Sequence, residues 1–418
     1  MSATVVRRFD LHVDEAKELG GVRDWLFSVA KEEESSERLT CRVKPVERLS
    51  LLEVRLEGNS VAISRVVAHI ADQPRLRIQR DSVRVGSPAV AELDYHSDAR
   101  PPAVAGLDYP DPRALVRIGL EPGSRGPAVR TTAPSVAGTE TVTVAVIDSG
   151  IMVTHPDLER HLWRGTVDGL PHRYGARCIG GELTPDITDQ DGHGTRLAGT
   201  VLSVTGGRPD IRLMAVKFFD ADALPGPANG AAAIEFATAA QPEADVINLS
   251  WDLGIGSPAL KDAIKKACDG GALVVIAAGN SGADNDRAPA IPACYRTICP
   301  EQIITVMATD RYNEKASFSN YGAETVDLAA PGVNIVTTRA SLSKASKNDL
   351  TRNPFYRRHE SYNGTSAAAA LVSGAAALLK SLDPTLTAYD LKMKLCKSVR
   401  KIPGLKSKCV TGGLLNLP

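Results

Sequence analysis

The sequence predicts an α/β protein in which a mostly parallel sheet lies between two layers of helices, preceded by a small α+β domain. Apolar, β-branched runs alternate with helical stretches over the C-terminal part of the chain, which is typical of a parallel sheet covered on both faces. The first 86 residues follow a different order of elements. A chain of 418 residues also exceeds a typical single domain, so we expect two folded units.

The N-terminal unit is predicted over residues 1–86 from the spacing of its apolar residues. They alternate over 39–43 and again over 52–56, which predicts strands, and they recur at helical spacing over 19–29 and 63–70. With a further strand at each end, the order is β-α-β-β-α-β, the ferredoxin-like pattern.

A change of composition separates this unit from the rest of the chain. From Gly86 to Thr139 there are eight prolines and six glycines, which favour extended or irregular chain. We therefore expect a linker over 87–139 and a second domain over 140–418.

Five apolar runs of the second domain predict strands of its sheet. They are Thr143–Ile147, Leu213–Lys217, Val246–Leu249, Leu273–Ala277 and Ile303–Ala308. Helices are predicted at Gly230–Ala240, Pro258–Ala267, Ala367–Leu379 and Tyr389–Val399. Ligands of such sheets bind at the carboxyl ends of the strands, so polar residues there are candidate site residues.

Asp148 and His193 are two such candidates. Asp148 ends the first strand and presents a carboxylate at the binding edge. His193 stands between glycines in Asp191-Gly192-His193-Gly194-Thr195, just before a predicted helix. An imidazole can act as a general base near neutral pH, and a carboxylate can hold it in one tautomer.

Ser366 and Asn280 are two further candidates, and their side chains are uncharged. Asn363-Gly364-Thr365-Ser366 runs directly into the predicted buried helix, so Ser366 stands at a helix N-terminus. Unpaired N–H groups and the helix dipole favour negative charge there, which suits a nucleophile in acyl transfer, although serine is also an ordinary N-cap. Asn280 follows a predicted strand and can donate a side-chain N–H to an oxyanion.

Together these motifs resemble the subtilisin-like serine proteases, the subtilase family. They are Asp148-Ser149-Gly150, His193-Gly194-Thr195, Asn248-Leu249-Ser250, Ala278-Gly279-Asn280 and Gly364-Thr365-Ser366. The order Asp, His, Ser is the subtilisin order.

The resemblance implies a three-layer subtilisin-like peptidase domain at 140–418 and a serine endopeptidase that works through a covalent acyl-enzyme. The implied catalytic residues are Asp148, His193 and Ser366, and Asn280 is the implied oxyanion donor. Substrate would contact Ser250, Trp251, Asp252 and Gly279. Asp252 would either favour a basic substrate side chain or be a solvated loop carboxylate.

The resemblance also implies a role for the N-terminal domain, which is similar to a subtilase propeptide. It would assist folding and then inhibit the enzyme from within the active-site cleft. Self-cleavage would fall between about Ser87 and Pro112. The alternative is a plain α/β interaction domain that stays attached.

The chain departs from the family pattern near the site. Four alanines, Ala367–Ala370, replace a continuation that normally contains proline, and a polar, basic insertion covers Thr338–Glu360 as a solvated loop or a lid. The family's calcium loop would lie between Gly199 and Lys217, where the chain is short. Asp157 would then lack the partners that calcium needs, so we expect no metal and no cofactor.

Composition excludes several classes of partner. The formal net charge of +0 favours neither nucleic acid nor an anionic membrane, and the apolar runs are too short to predict a membrane span. The first 19 residues lack the features of a secretory signal, so the expected location is the cytoplasm, with secretion by another route left open. The seven scattered cysteines favour free thiols, although Cys294–Cys299 and Cys396–Cys409 are conceivable pairs.

Two functions of different classes fit these motifs. The first is the serine endopeptidase, with polypeptide substrates and the chain's own N-terminal domain as partners. The second is a catalytically idle binding or regulatory module on the same fold. An esterase or peptide ligase would use the same three residues.

Overall fold

A computed structural model describes residues 114–120, 141–220, 225–254, 256–340 and 359–417 in full. It also describes the backbone of four N-terminal strands. These are β1 Thr4–Val13, β2 Thr40–Val46, β3 Leu51–Gly58 and β4 Leu76–Gly86. They form an antiparallel sheet in the order β2-β3-β1-β4. The two helices predicted between them lie outside the described residues, so the ferredoxin-like assignment stays a prediction.

The other strands belong to the second domain. They are β5 Val142–Asp148, β6 Arg164–Val167, β7 Leu170–Arg173, β8 Gly175–Ile179, β9 Glu182–Thr184, β10 Ile211–Lys217, β11 Ala240–Gln241, β12 Val246–Leu249, β13 Leu273–Ala277, β14 Ile303–Thr309, β15 Leu328–Pro331, β16 Ile335–Thr338, β17 His359–Tyr362, β18 Arg400–Lys401 and β19 Gly413–Leu414. Ten of them form one sheet in the order β18-β19-β15-β14-β13-β12-β5-β10-β8-β9. Its strands are parallel except at the two edges, where β18 and β9 run antiparallel to their neighbours.

Helices cover both faces of this sheet. They are α1 Ala114–Arg117, α2 His193–Thr205, α3 Pro227–Ala239, α4 Pro258–Asp269, α5 Thr365–Leu382 and α6 Ala388–Ser398. Along β5, Val144 and Val146 pack into the core that contains α2, α5 and α6, whereas Ala145 and Ile147 pack into the core with α3 and α4. Alternate side chains of a strand point to opposite faces, so the predicted three-layer α/β fold is confirmed.

Helices α2 and α5 approach each other closely at Gly374. A Cβ atom on Gly374 would lie 2.6 Å from the carbonyl oxygen of Val201, so a larger residue would push the helices apart. This contact relates the two helices that begin at His193 and Thr365. Among the described residues α5 is also long and apolar enough to cross a membrane, but 83% of it is buried inside the protein, as in a core helix.

Residues 114–120, which fall in the predicted linker, pack into the sheet domain. Ile118 is fully buried in the same core as α2 and α5, and its carbonyl oxygen accepts the N–H of Leu417 at 2.8 Å. The Arg117 guanidinium donates to Thr309 Oγ1 and Asn313 Oδ1, both at 3.0 Å. Part of the chain before residue 140 therefore belongs to this folded unit.

Candidate active site

Asp148 and His193 form the charged half of the site. Asp148 ends β5 and is fully buried, and its Oδ1 lies 2.8 Å from Nδ1 of His193. His193 is the first residue of α2, and its side chain is 22% exposed. With Nδ1 on the carboxylate, Nε2 is the ring nitrogen that can accept a proton.

Ser366 lies in the first turn of α5 and is 6% exposed. Its hydroxyl donates to the carbonyl oxygen of Ser250 at 3.2 Å, and the Ser250 hydroxyl donates back to the carbonyl oxygen of Ser366 at 3.3 Å. Asn248 completes this support, because its Nδ2 donates to Ser250 Oγ at 2.8 Å. Ser250, the residue directly after β12, therefore holds Ser366 in place. In this structure the Ser366 hydroxyl donates to a carbonyl oxygen. In serine hydrolases the hydrogen bond between the serine hydroxyl and its general base often forms only when substrate is present.

Asn280 lies beside Ser366 with a fixed amide orientation. Its Oδ1 accepts both the N–H and the hydroxyl of Thr365 at 2.9 Å, while the Thr365 hydroxyl accepts the N–H of Gly279 at 3.2 Å. Because Oδ1 is occupied in this way, Nδ2 is the atom left to donate toward the cleft. It lies 3.8 Å from the position of a Cβ on Gly364, two residues before Ser366.

Gly279 leaves no space for a side chain. Its φ is +106°, and a Cβ there would lie 2.4 Å from Asn320 Nδ2 and 3.4 Å from Asp252 Oδ2. The predicted substrate-contact residues Gly279 and Asp252 are therefore neighbours. Asp252 Oδ1 also accepts the backbone N–H groups of Gly254 at 3.0 Å and Ile291 at 3.1 Å.

Trp251 is placed differently from what its predicted role in substrate contact needs. Its side chain is 5% exposed, packs on Phe218 with ring centroids 4.8 Å apart, and donates Nε1–H to the Ile147 carbonyl oxygen at 2.9 Å. The indole is therefore part of the core behind the site, and only the backbone of Trp251 is left to contact a substrate.

The hairpin β16–β17 packs against the helix that begins at His193. The Thr338 hydroxyl donates to the Thr195 carbonyl oxygen at 2.6 Å, and the Tyr362 hydroxyl lies 3.2 Å from Thr200 Oγ1. Burial raises the pKa of Tyr362 well above its usual range, and the Asp148 carboxylate adds to this rise. Tyr362 is therefore an uncharged side chain where it packs against α2. The predicted insertion between these strands falls mostly on 341–358, outside the described residues.

Asp157, the residue considered for a calcium site, has a protein partner. Its Oδ2 lies 2.9 Å from Nε2 of His359 in β17. Within the described ranges, no group of three or more His, Cys, Asp or Glu residues is arranged to hold a metal ion. The six cysteines that the structure describes are free thiols.

Three residues that support the site through hydrogen bonds are not among the residues predicted for it. Asn248 and Thr365 lie in motifs that the sequence highlights. The partners of the Thr365 hydroxyl are distant in sequence, whereas the Asn248 amide bonds both to nearby Ser250 and to distant Ser373. Asp189 has a weaker local signal, an aspartate in the turn before His193.

Comparison with known proteins agrees with this fold. The sequence model of the subtilase family (peptidase S8) matches residues 139–412. Subtilisin DY of Bacillus licheniformis is 36% identical over 268 residues, which cover 62% of this chain and 84% of that protein. Alkaline elastase YaB of Bacillus sp. (strain YaB) is 29% identical over 381 residues, 87% of this chain and 86% of that protein.

A solved structure of a cold adapted subtilisin-like serine proteinase shares the fold. It superposes with a TM-score of 0.53 at 24% identity and covers 73% of this chain and 97% of that chain. A buried Asp–His pair and a helix-terminal serine on one parallel α/β sheet are the side chains that a serine hydrolase needs. The chain belongs to the subtilase family, and its relatives include proteins named subtilisins and alkaline proteases. It is a serine endopeptidase.

Proposed function

We propose that the chain hydrolyses peptide bonds through Asp148, His193 and Ser366. Ser366 Oγ attacks the scissile carbonyl carbon, and its proton passes to His193 Nε2 and then to the leaving amine. Water hydrolyses the acyl-enzyme in the second step, with His193 again as base. The observation that supports this assignment most strongly is the 2.8 Å hydrogen bond between His193 and the fully buried Asp148 carboxylate.

The oxyanion of each tetrahedral intermediate would be stabilised by two donors. One is Asn280 Nδ2, whose orientation follows from the two hydrogen bonds that Oδ1 accepts from Thr365. The other is the backbone N–H of Ser366 in the first turn of α5, where the helix dipole also favours negative charge.

A fluorophosphonate probe tests the nucleophile directly. We expect wild-type protein to be labelled on Ser366 and to hydrolyse peptide substrates. Ser366→Ala should do neither, whereas Ser381→Ala, also a buried serine of α5, should behave like the wild type. Hydrolysis that survives Ser366→Ala would reject this mechanism. A wild type that neither reacts nor hydrolyses would favour the idle binding module.

We further propose that residues 1–86 form an inhibitory folding domain, followed by a linker at 87–139 whose first part is cut by the enzyme. The match to alkaline elastase YaB supports a shared N-terminal region, because it takes in 87% of this chain and so begins well before residue 139. The packing of 114–120 against the core means that cleavage between about Ser87 and Pro112 would leave this segment with the peptidase.

Intact mass and N-terminal sequencing of the purified protein test this processing. The wild type should yield a fragment that begins before residue 114, and Ser366→Ala should stay at full length. Equal intact masses of the two proteins would contradict self-cleavage. Added in trans, residues 1–86 should inhibit the cut enzyme.

Substrates are polypeptides, and we propose that Asp252 favours a basic side chain in them. Its carboxylate lies beside Gly279, the residue before the oxyanion donor, where a substrate side chain next to the scissile bond would pass. The two backbone N–H groups on Oδ1 fix the carboxylate in that position. A fixed negative charge there would favour lysine or arginine over a neutral side chain.

A further inference from the structure

Asp189 lies outside the proposed catalytic residues, yet its carboxylate accepts five hydrogen bonds. Oδ1 accepts Ser149 Oγ–H at 2.9 Å, the N–H of Asp191 at 3.1 Å and the N–H of Gly192 at 2.7 Å. Oδ2 accepts the N–H of Thr195 at 2.9 Å and its hydroxyl at 2.5 Å. These donors are neutral, so the carboxylate holds backbone and hydroxyl dipoles by charge-assisted hydrogen bonds.

The five donors come from both sides of the Asp148–His193 pair. Ser149 directly follows Asp148, whereas Gly192 and Thr195 flank His193. Ser149 closes the connection, because its Oγ also accepts the N–H of Gly194 at 2.9 Å. One carboxylate thus joins the end of β5 to the start of α2.

The segment that carries Asp189 is itself held from the sheet. Lys217, which is 1% exposed and pairs in register with Asp148, donates from Nζ to the Thr188 carbonyl oxygen at 2.8 Å. A Cβ on Gly150 would lie 2.4 Å from the Ile187 carbonyl oxygen, so this segment also packs directly on the turn after Asp148. Asp189 therefore has a fixed base from which to position the His193 loop.

We infer that Asp189 is a positioning residue that sets the distance between the Asp148 carboxylate and the His193 ring. This inference rests on the proposed function of that pair. A displacement of about 1 Å at a catalytic group can lower turnover by about 10²-fold. The Asp189 contacts are among those that connect the backbones of the two residues, together with the bonds from Gly194 to Ser149 and from Met152 to Thr195.

Asp189→Asn tests the inference with little change of size. The new NH₂ group would face N–H or O–H donors in place of an acceptor oxygen, so the His193 loop should shift. We expect kcat, measured per active site titrated with a fluorophosphonate, to fall about 10²-fold, with KM within about threefold of wild type. Asp186→Asn, in the same loop but exposed, is the matched control and should leave both values near wild type.

Ser149→Ala provides a second variant in case Asp189→Asn does not fold. It removes one of the five donors and the link to Gly194, so we expect kcat per active site to fall about tenfold. In the double variant the two losses should combine to less than their product, because both act through the same contact.

The outcomes separate this inference from the proposed function. If Asp189→Asn and Ser149→Ala lower the yield of folded enzyme but keep kcat per active site at the Asp186→Asn value, Asp189 is only structural. If His193→Ala keeps wild-type turnover, the proposed function fails first. Loss of activity in His193→Ala together with the expected kcat losses supports both.

Discussion

The two halves of the site are built from different kinds of groups. The Asp148–His193 half is surrounded by carboxylates, since Asp189 and Asp191 both accept backbone N–H groups of the His193 loop. In the other half, the groups that bond directly to Ser366 and Asn280 are neutral hydroxyls, amides and carbonyls, with Thr365 as the central contact. The Asp252 carboxylate lies one residue away, beside Gly279.

The difference follows the charges that develop during acyl transfer. In the proposed mechanism positive charge forms on the imidazole, so negative groups around His193 would stabilise the transition state. Negative charge forms on the oxyanion beside Asn280, where a neighbouring carboxylate would oppose it and neutral donors do not. We therefore expect substitutions in the charged half to act through proton transfer and those in the neutral half through oxyanion stabilisation.

Asp148→Asn should have the largest effect and tests the charged half of the site. The amide keeps the size of the carboxylate but favours the wrong imidazole tautomer. If Asp148 has its proposed role, kcat should fall about 10⁴-fold, the loss that this change causes in a serine protease with a Ser-His-Asp triad. Asp157→Asn, at a half-exposed pair with His359, is a suitable control. Steady-state hydrolysis of a chromogenic peptide measures both. A loss below about tenfold would show that the charged half contributes little.

Asn280→Ala should have the next largest effect. It removes one of the two proposed oxyanion donors, and the expected loss of kcat is about 10²–10³-fold, the size typical of removing one such donor. KM should change little, because the donor acts mainly in the transition state. A rise in KM with unchanged kcat would instead assign Asn280 to ground-state binding.

Thr365→Val sharpens the view of the neutral half. Valine keeps the shape of threonine but removes the hydroxyl that donates to Asn280 Oδ1 and accepts from Gly279. With the backbone N–H of residue 365 still on Oδ1, we expect only about a tenfold loss of kcat. Thr365→Ser retains the hydroxyl and should recover most of it. If serine and valine behave alike, packing rather than the hydrogen bond is the cause.

Asp252→Asn is expected to change selectivity more than turnover. Asparagine keeps an acceptor for Gly254 and Ile291 but removes the charge. The ratio of kcat/KM for a lysine substrate over its leucine analogue should therefore fall about tenfold. Asp252→Ala, which also removes the acceptor, should lower kcat/KM for both substrates. An unchanged ratio in Asp252→Asn would leave Asp252 with a loop-holding role alone.

The sequence by itself predicted the elements that carry the site. Buried strands β5, β12 and β13 and the helix α5 follow from local runs of apolar or small residues, and their bounds agree within a few residues. The motif order also brought Asp148, His193, Ser366 and Asn280 forward as candidates. Such signals lie within short stretches of chain, where spacing and residue type are directly readable.

The tertiary structure alone decided which side chains support them. Trp251 packs into the core, Ile118 joins it from the predicted linker, and Asp189 bonds to Ser149, which is 40 positions away in the sequence. Hydrogen bonds and burial of this kind depend on how distant segments meet after folding. Local spacing carries no information on those contacts. The candidate residues could therefore be named from the sequence, whereas the hydrogen bonds around them could not.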